Sequence, residues 1–403
     1  MGRLIVPAGM KPYSPNLTKA ALIVIVGIAV RLVLLLIVDP VANQFTGDTL
    51  DYFSDAHRIA AGLLPSSYRP PLYPIFLLLT PGFTILAQCA LTIFSGVAAY
   101  KVLGGKTGFW TGLLIAACPF FAFYDFRLLS ESLYVNLIWW AWLALHRKHS
   151  LSAGFLMGLA ILTRDTLFLL PLFALLLMRS RVAIKMCLAA YLLALPWAFY
   201  AEGRVGLNLW IGTWERTPAW FQNGLDKPQF PIALTPQEKA AYWKDDPALL
   251  RAAIVRMKTH PFQTAENWVA RYPRLWIGTR SDQIAWRFGG PTWVALKVAL
   301  FGLNLLLLLL GFWGLRASKE FAIPVVYTAL IYIPFHNTET RYSLAALTFL
   351  IYAGALVAPR IGTEIGKVVN PRFARRINHS LNREPGSPNG DRAETVEAGR
   401  TLR

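Results

Sequence analysis

Long uncharged apolar blocks restrict what this chain can fold into more than any other feature. The clearest is Val298–Leu315, which carries no charged residue and includes six consecutive leucines at 305–310. A helix that crosses a bilayer needs about 20 mostly apolar residues. Only 15% of the residues are charged, well below the roughly 25% of soluble domains. This composition excludes a disordered chain, a coiled coil and an ordinary cytosolic enzyme.

The apolar blocks predict an all-α polytopic membrane protein with about 10 transmembrane helices and with short helices in its outer-face loops. The blocks are Ala20–Val38, 82–103, 109–123, 132–146, 151–163, 165–178, 184–200, 293–315, 320–335 and 342–359.

The basic residues predict the orientation in the membrane. The chain has 40 Lys and Arg against 22 Asp and Glu, a net charge of +18. In a soluble protein this excess would indicate nucleic acid, but here the basic residues lie mostly in short loops on one side, as in the cytoplasmic loops of membrane proteins. We predict a lipid-bilayer environment in the plasma (inner) membrane, cytoplasmic termini and no nucleic-acid partner. Segment 151–178 could be one tilted helix, but two spans keep the basic loop 179–185 cytoplasmic.

The alternation of loops divides the chain into five predicted parts. They are a cytoplasmic N-terminus 1–19, an N-terminal transmembrane module 20–200 with its first outer loop 39–72, a large extracytoplasmic segment 201–291, C-terminal transmembrane helices 292–360, and a basic cytoplasmic tail 361–403 that is too polar to fold alone.

The first outer loop contains a group of aspartates. Asp48, Asp51 and Asp55 are three and four residues apart, so a helix would align them on one face. Helix capping and solvation explain such a group in many loops. Directly after a membrane span, the same group suits a general base that acts on a substrate at the membrane surface.

Further ionisable residues lie at the same predicted level. Arg69 could extend to the interface or bind a phosphate. Arg31 lies inside the first span, where we expect it to pair with a carboxylate within the bundle; direct binding of a phosphate is the alternative. The others are Asp125, Arg127, Glu131, Arg164, Asp165, Glu339 and Arg341. The three cysteines suggest no disulfide framework or metal site, and the sequence has no P-loop, zinc-protease or nucleophile-elbow motif.

Several short motifs, in this order, resemble those of a known family, the polytopic glycosyltransferases of the GT-C superfamily. The nearest branch is the bacterial one related to protein mannosyltransferases and to the lipid A aminoarabinose transferase. The motifs are GDTLDY at 47–52, RPPLYP at 69–74, SESL at 130–133, LTRD at 162–165, NLWIG at 208–212 and RYSLAAL at 341–347.

This resemblance implies a transferase with its active site on the extracytoplasmic face. The donor would be a polyprenyl-phosphate-linked sugar, and the acceptor a hydroxyl of a glycan, lipid or protein. In the family an acidic residue of the first outer loop is the general base. Asp48 matches by position, and Asp51 is the alternative.

The resemblance also implies roles for other residues. A second acidic position matches Glu131 and, less well, Asp125. Some relatives use a divalent metal, which Glu131 and Asp48 would hold here, and no other cofactor is implied. The residues expected to bind the substrate or its phosphate are Arg69, Glu131, Arg164, Arg341, Tyr342 and Tyr52.

Two other functions remain open at the level of sequence. A lipid-linked-glycan flippase or transporter could have as many spans, although such folds carry polar residues near the middle of the membrane and internal repeats. An oligosaccharide ligase or polymerase would also use a polyprenyl donor, but it would transfer a whole glycan from a diphosphate.

Overall fold

A computed structural model describes residues 16–39, 42, 47–202, 205–214, 241, 245–280, 284–334 and 340–369. Within these residues the chain is helical and has no strand, as predicted. An isolated bridge joins Val38 to Trp286. It ties the end of the first helix to the chain that enters the helix at Gly290.

The helices follow one another with short connections. In chain order they are α1 (Leu17–Ile37), α2 (Gly47–Ala60), α3 (Leu72–Leu79), α4 (Thr84–Leu103), α5 (Gly105–Ala117), α6 (Pro119–Asp125), α7 (Ser130–His146), α8 (Ser150–Ile161), α9 (Leu170–Met178), α10 (Arg181–Tyr200), α11 (Val205–Trp214), α12 (Asp246–Thr259), α13 (Pro261–Arg271), α14 (Pro273–Trp276), α15 (Gly290–Gly314), α16 (Lys319–Ile331) and α17 (Leu344–Val369). Short 3-10 turns lie at Asp165–Leu167, Leu315–Ala317 and Thr340–Ser343.

In the described part of the chain, five helical segments are long and apolar enough to cross a membrane, which associates the protein with a lipid bilayer. The number rises to six if a bent pair is counted as one span. The five are Leu17–Ile37, Thr84–Leu103, Arg181–Tyr200, Gly290–Ala317 and Thr340–Pro359. Each of the other predicted spans also corresponds to helix, but in shorter pieces, such as Ser150–Ile161 and Asp165–Met178.

The bent pair consists of α5 and α6, which meet at an angle of 47°. Cys118 between them has an extended backbone, and Pro119 begins α6. A residue before proline avoids the helical region, so the sequence itself places the break here. The bend directs Asp125, the last residue of α6, toward the interior of the bundle, where it is fully buried.

Helix α7 lies in the centre of the bundle, and almost all of its residues are buried. From Leu137 to Leu145 its sequence is apolar around the whole circumference, which is typical of an enclosed helix. The Trp142 indole donates to the carbonyl of Glu320 over 3.0 Å, and Ser95 donates to Asn136 over 2.5 Å. These contacts hold the helix that carries Glu131 in its first turn.

Helices α4 and α5 approach each other closely at a pair of glycines. A Cβ atom on Gly112 would overlap the carbonyl oxygen of Gly96. Small residues permit such backbone contact between helices in a membrane. This contact fixes the position of α4, whose Thr92 hydroxyl binds Asp125.

Helices α11 and α12 form a second, smaller apolar cluster around Trp210. The carboxylate of Asp246 caps α11, accepting from the backbone N–H of Gly206 and Leu207 over 2.9 and 2.7 Å. His260 lies at the break between α12 and α13, because the residue before a proline, here Pro261, avoids the helical region.

The described residues up to Leu356 belong to one compact unit, and those from Val357 on belong to a second. Only the first residues of the second unit are described, as the continuation of α17 to Val369. The helix therefore extends into the segment that was predicted as tail, and residues 370–403 lie outside the described residues.

Candidate functional site

Eight residues that the sequence singled out form one connected cluster. They come from five separate parts of the chain: α2, the connection after α2, the start of α7, the turn after α8 and the 3-10 turn before α17. Ion pairs and cation–ring contacts join each of them to another member. The members of this arginine–carboxylate cluster are Asp48, Asp51, Tyr52, Arg69, Glu131, Arg164, Arg341 and Tyr342.

Asp48 and Asp51 bind the same guanidinium group. Their spacing of three residues on α2 places both side chains on one face. The Nη2 of Arg69 lies 2.8 Å from Oδ1 of Asp48 and 2.7 Å from Oδ2 of Asp51. Its Nε donates a further bond of 3.1 Å to Asp51. Pro70 and Pro71 restrict the backbone directly after Arg69, which limits where its side chain can reach.

The third aspartate of α2 has a different partner. Asp55 is buried and accepts hydrogen bonds from the backbone N–H and the hydroxyl of Ser66, over 2.7 and 2.6 Å. These bonds fasten the connection after α2 onto the helix. Of the three aligned aspartates, two therefore face Arg69 and one stabilises the loop that carries it.

Arg341 connects this group to Glu131. Its Nη1 lies 3.5 Å from Oδ2 of Asp48 and 3.8 Å from Oε1 of Glu131. The Nη1 of Arg164 lies 3.1 Å from the same oxygen of Glu131. Negative and positive side chains thus alternate along the cluster, and the formal charges of its three arginines and three carboxylates sum to zero.

Tyrosine rings hold the guanidinium planes. The ring of Tyr342 lies 4.5 Å from the guanidinium carbon of Arg164 and 4.7 Å from that of Arg341. Tyr52 lies 4.9 Å from that of Arg69, and its hydroxyl donates to Ser130 over 2.9 Å. Stacking of this kind favours arginine over lysine and orients its donors.

The cluster is exposed at one end and buried at the other. The side chains of Asp48 and Asp51 are 36% and 41% exposed, whereas that of Glu131 is 3% exposed. Burial by itself would raise the pKa of Asp48, but the positive charges of Arg69 and Arg341 outweigh it and lower the pKa below its ordinary value. An ionised carboxylate at the exposed end can accept a proton from a ligand.

The cluster suits an anion better than a metal ion. No group of three or more His, Cys, Asp or Glu side chains is placed to hold a metal among the described residues. Arg341 contacts both Asp48 and Glu131, the two residues expected to hold a divalent ion, so their carboxylates already face a cation of the protein itself. This donor set does not fit a divalent ion, and we derive no step through a metal.

Two residues considered from sequence lie outside the cluster and pair with each other. Arg31 binds Oδ2 of Asp125 through Nε and Nη2, over 3.2 and 2.5 Å, which confirms the expected carboxylate partner inside the bundle. The other carboxylate oxygen of Asp125 accepts from Ser132 and Thr92. Because Asp125 is committed in this way, Glu131 is the second acidic residue that the structure joins to Asp48.

Arg280 is a residue that sequence reasoning did not find. It is fully buried and adopts a left-handed backbone with φ of 53°. Its Nη1 donates to the carbonyl of Thr340 over 2.6 Å and to the Ser343 hydroxyl over 3.0 Å, and its Nε donates to Asn304 over 2.7 Å. It therefore holds the turn that carries Arg341 and Tyr342.

A cleft of about 430 Å³ opens beside the exposed end of the cluster. Asp51 faces both the cleft and Arg69, so the two sites share one carboxylate. The cleft is lined by Asp51, Ser54, Asp55, Arg58, Pro65, Ser66, Ser67, Tyr68 and Tyr200.

Comparison of the chain with protein-family models, with curated proteins and with solved structures gives no match. Its function is therefore argued from the geometry of the cluster and from the sequence motifs that its residues come from.

Proposed function

We propose that the chain is an integral membrane glycosyltransferase of the GT-C type. It moves a sugar from a polyprenyl-phosphate-linked donor to a hydroxyl acceptor. The observation that carries the proposal is the arginine–carboxylate cluster, since it unites residues up to 293 positions apart that the motifs had each marked separately. A flippase or a transporter would instead carry polar residues near the middle of the membrane and internal repeats.

The arginines support binding of the donor phosphate. Guanidinium groups make strong, often bidentate hydrogen bonds to phosphate oxygens. The Nε of Arg164 is buried without a hydrogen-bond partner in the part of the chain that the structure describes. A buried donor of this kind calls for a partner, and a phosphate oxygen would supply one. The same positive charges stabilise the negative charge that develops on the leaving phosphate.

The carboxylates support the other half of the reaction. A hydroxyl is a weak nucleophile until a base takes its proton. Asp48 and Asp51 are the exposed carboxylates of the cluster, and either is placed to act as this base. One base with no covalent intermediate gives inversion at the anomeric carbon. Cleavage of the donor's own phosphate ester drives the transfer, so no nucleotide is required.

The ten-span topology, with cytoplasmic termini in the plasma (inner) membrane, belongs to the same proposal. The charge pattern of the loops supports it, and so does the presence of helix at every predicted span. In this topology α2, the start of α7 and the turn after α8 share the extracytoplasmic side.

The deciding experiment compares cells that lack this protein with cells complemented by the wild type or by Asp48→Asn, Asp51→Asn or Glu202→Gln. Glu202 is an exposed carboxylate beyond the cluster and serves as the matched control. Mass spectrometry would follow polyprenyl-phosphate sugars and extracted envelope glycans. We expect the null cells to accumulate one polyprenyl-phosphate sugar and to lack that sugar in a glycan. The wild type and Glu202→Gln restore both, and loss of the base costs about 10²–10⁴-fold in rate.

Other outcomes reject the proposal. Accumulation of a diphosphate-linked glycan in the null cells would instead indicate a ligase or polymerase. If Asp48→Asn and Asp51→Asn each restored the wild-type glycans in full, neither residue would be the base, and a transport function would be favoured.

A further inference from the structure

We propose that the cleft beside the cluster binds the acceptor, that this acceptor is a carbohydrate, and that Asp51 is the carboxylate which takes its proton. This inference rests on the proposed function and narrows two of its open points, the class of acceptor and the identity of the base.

The cleft is formed before any ligand arrives. Its far wall, the connection after α2, is fastened at several points. Ser66 is bound by Asp55, and the hydroxyl of Tyr200 donates to the carbonyl of Pro65 over 2.7 Å. The backbone N–H of Glu202 donates to the carbonyl of Ser67 over 2.9 Å. A site held in this way loses less conformational entropy on binding, and preorganisation increases affinity.

The lining of the cleft matches a sugar better than a lipid chain. Eight of its nine residues carry a hydroxyl, carboxylate or guanidinium group, and the ninth is Pro65. Hydroxyl and carboxylate groups can meet the alternating donors and acceptors of a carbohydrate. Tyr68 and Tyr200 add rings with an apolar face and a polar edge. An acyl chain needs an apolar lining, which these residues do not provide.

The size and position of the cleft also fit this use. Its volume of about 430 Å³ lies in the usual range of roughly 300–1,000 Å³ for small-molecule sites. Tyr200 is the last residue of α10, and the cleft therefore opens at the end of an apolar helix. A soluble or membrane-attached glycan could enter there while the polyprenyl chain of the donor stays in the bilayer.

Asp51 is the carboxylate that faces both substrates. It lines the cleft, and Arg69 binds it from the other side. Asp48 is not part of the lining, and Arg69 and Arg341 lie against its two oxygens. An acceptor hydroxyl in the cleft therefore meets Asp51 first.

In the transfer, each bond that forms is matched by one that breaks. The acceptor hydroxyl gives its proton to the Asp51 carboxylate while its oxygen forms a bond to the anomeric carbon of the donor sugar. The bond between that carbon and the phosphate oxygen breaks, and its electron pair leaves with the polyprenyl phosphate. The arginines of the cluster hold this leaving group, and the proton on Asp51 passes to water.

The test fills the cleft without touching the cluster. Ser54→Trp and Ser67→Trp introduce a ring into the cleft from α2 and from the opposite wall. His57→Trp adds the same ring to an exposed position of α2 that does not line the cleft. The purified full chain would be assayed with lipid extract and envelope-glycan extract from null cells as donor and acceptor. Transfer and donor hydrolysis to water would be measured separately.

We expect both cleft variants to raise the KM for the glycan extract about tenfold or more, which corresponds to about 1.4 kcal/mol. In these variants the KM for the lipid extract and the rate of donor hydrolysis stay at wild-type values. In the control His57→Trp, every measured quantity stays at its wild-type value. Unchanged acceptor KM in both cleft variants would overturn the inference, as would a rise in donor KM or a loss of hydrolysis. Asp51→Asn must lower kcat more than Asp48→Asn, and the reverse order would overturn the assignment of the base. Absence of transfer by the wild type is a different failure, that of the proposed function itself.

Discussion

At the scale of single residues, the cluster is a set of charges that control one another. Each arginine lies beside a carboxylate and each carboxylate beside an arginine, and Tyr52 and Tyr342 fix the planes of the guanidinium groups. The effect of these charges is clearest at Asp48, because the arginines around it lower its pKa in spite of its partial burial. Its charge is therefore constant over the physiological pH range.

This shift predicts how the stability of the protein depends on pH. The pKa of Asp48 lies below the ordinary 3.8, so its contribution is fully present above that value and is lost as the pH falls through the lowered pKa. In thermal unfolding of the purified protein, we expect Asp48→Asn to lower Tm at about pH 5–8 and to have a smaller effect below about pH 3. Glu202→Gln is the control. If Asp48→Asn lowered Tm by the same amount at every pH, this would contradict the lowered pKa of Asp48.

At the scale of elements, the helices could be predicted from the sequence, but the long-range contacts that hold them together could not. The apolar blocks placed α1, but the break at Pro119 falls inside 109–123, which was predicted as one span. The motifs marked all eight cluster residues, and the partner of Arg31 was expected as a carboxylate. Arg280 could not be found in this way, because it lies in a polar stretch without a motif and binds Thr340 and Ser343, 60 and 63 positions away. Only the packing of α14, α15 and the turn before α17 brings these groups together.

Arg280 should position Arg341 and Tyr342 without touching the substrate. Removing hydrogen bonds of a buried charged group costs about 1.5–3 kcal/mol each, and the left-handed backbone at Arg280 is typical of functional sites. We expect Arg280→Gln to lower kcat for transfer about tenfold or more, since 1.4 kcal/mol is a factor of ten, with little change in acceptor KM. Arg280→Lys should restore part of kcat.

Arg274→Gln, a change of arginine on the neighbouring α14, is the control for this variant. A loss of Tm with unchanged kcat in the folded fraction would assign Arg280 a purely structural role.

At the scale of the whole molecule, the arrangement depends on which side each loop occupies. The cluster joins α2, α7, the turn after α8 and the turn before α17, and these must all lie on one side of the membrane. Two spans between 151 and 178 satisfy this condition together with the basic loops. If 151–178 crossed only once, every loop after residue 178 would move to the other side of the membrane, and Arg341 would be separated from Asp48.

Cysteine labelling checks the topology directly. In a chain whose three native cysteines are replaced by alanine, we expect Ser54→Cys and Glu202→Cys to react with a membrane-impermeant maleimide in intact spheroplasts. Lys106→Cys and Ala317→Cys should react only after the membrane is opened. All four positions are exposed in the structure. Protection of Glu202→Cys together with labelling of Ala317→Cys would show that 151–178 crosses once.

The electrical neutrality of the cluster bears on turnover. A phosphate that enters finds each arginine of the cluster already beside a carboxylate, and its binding exchanges one set of ion pairs for another. The free energy of binding is then the difference between the arginine–phosphate pairs that form and the arginine–carboxylate pairs that break. This holds for the donor and equally for the polyprenyl phosphate that leaves. Bare arginines would retain that product, whereas displaced carboxylates can return to their guanidinium partners and help to expel it. Mutual pairing of the charges therefore favours release, the step on which repeated use of a lipid carrier depends.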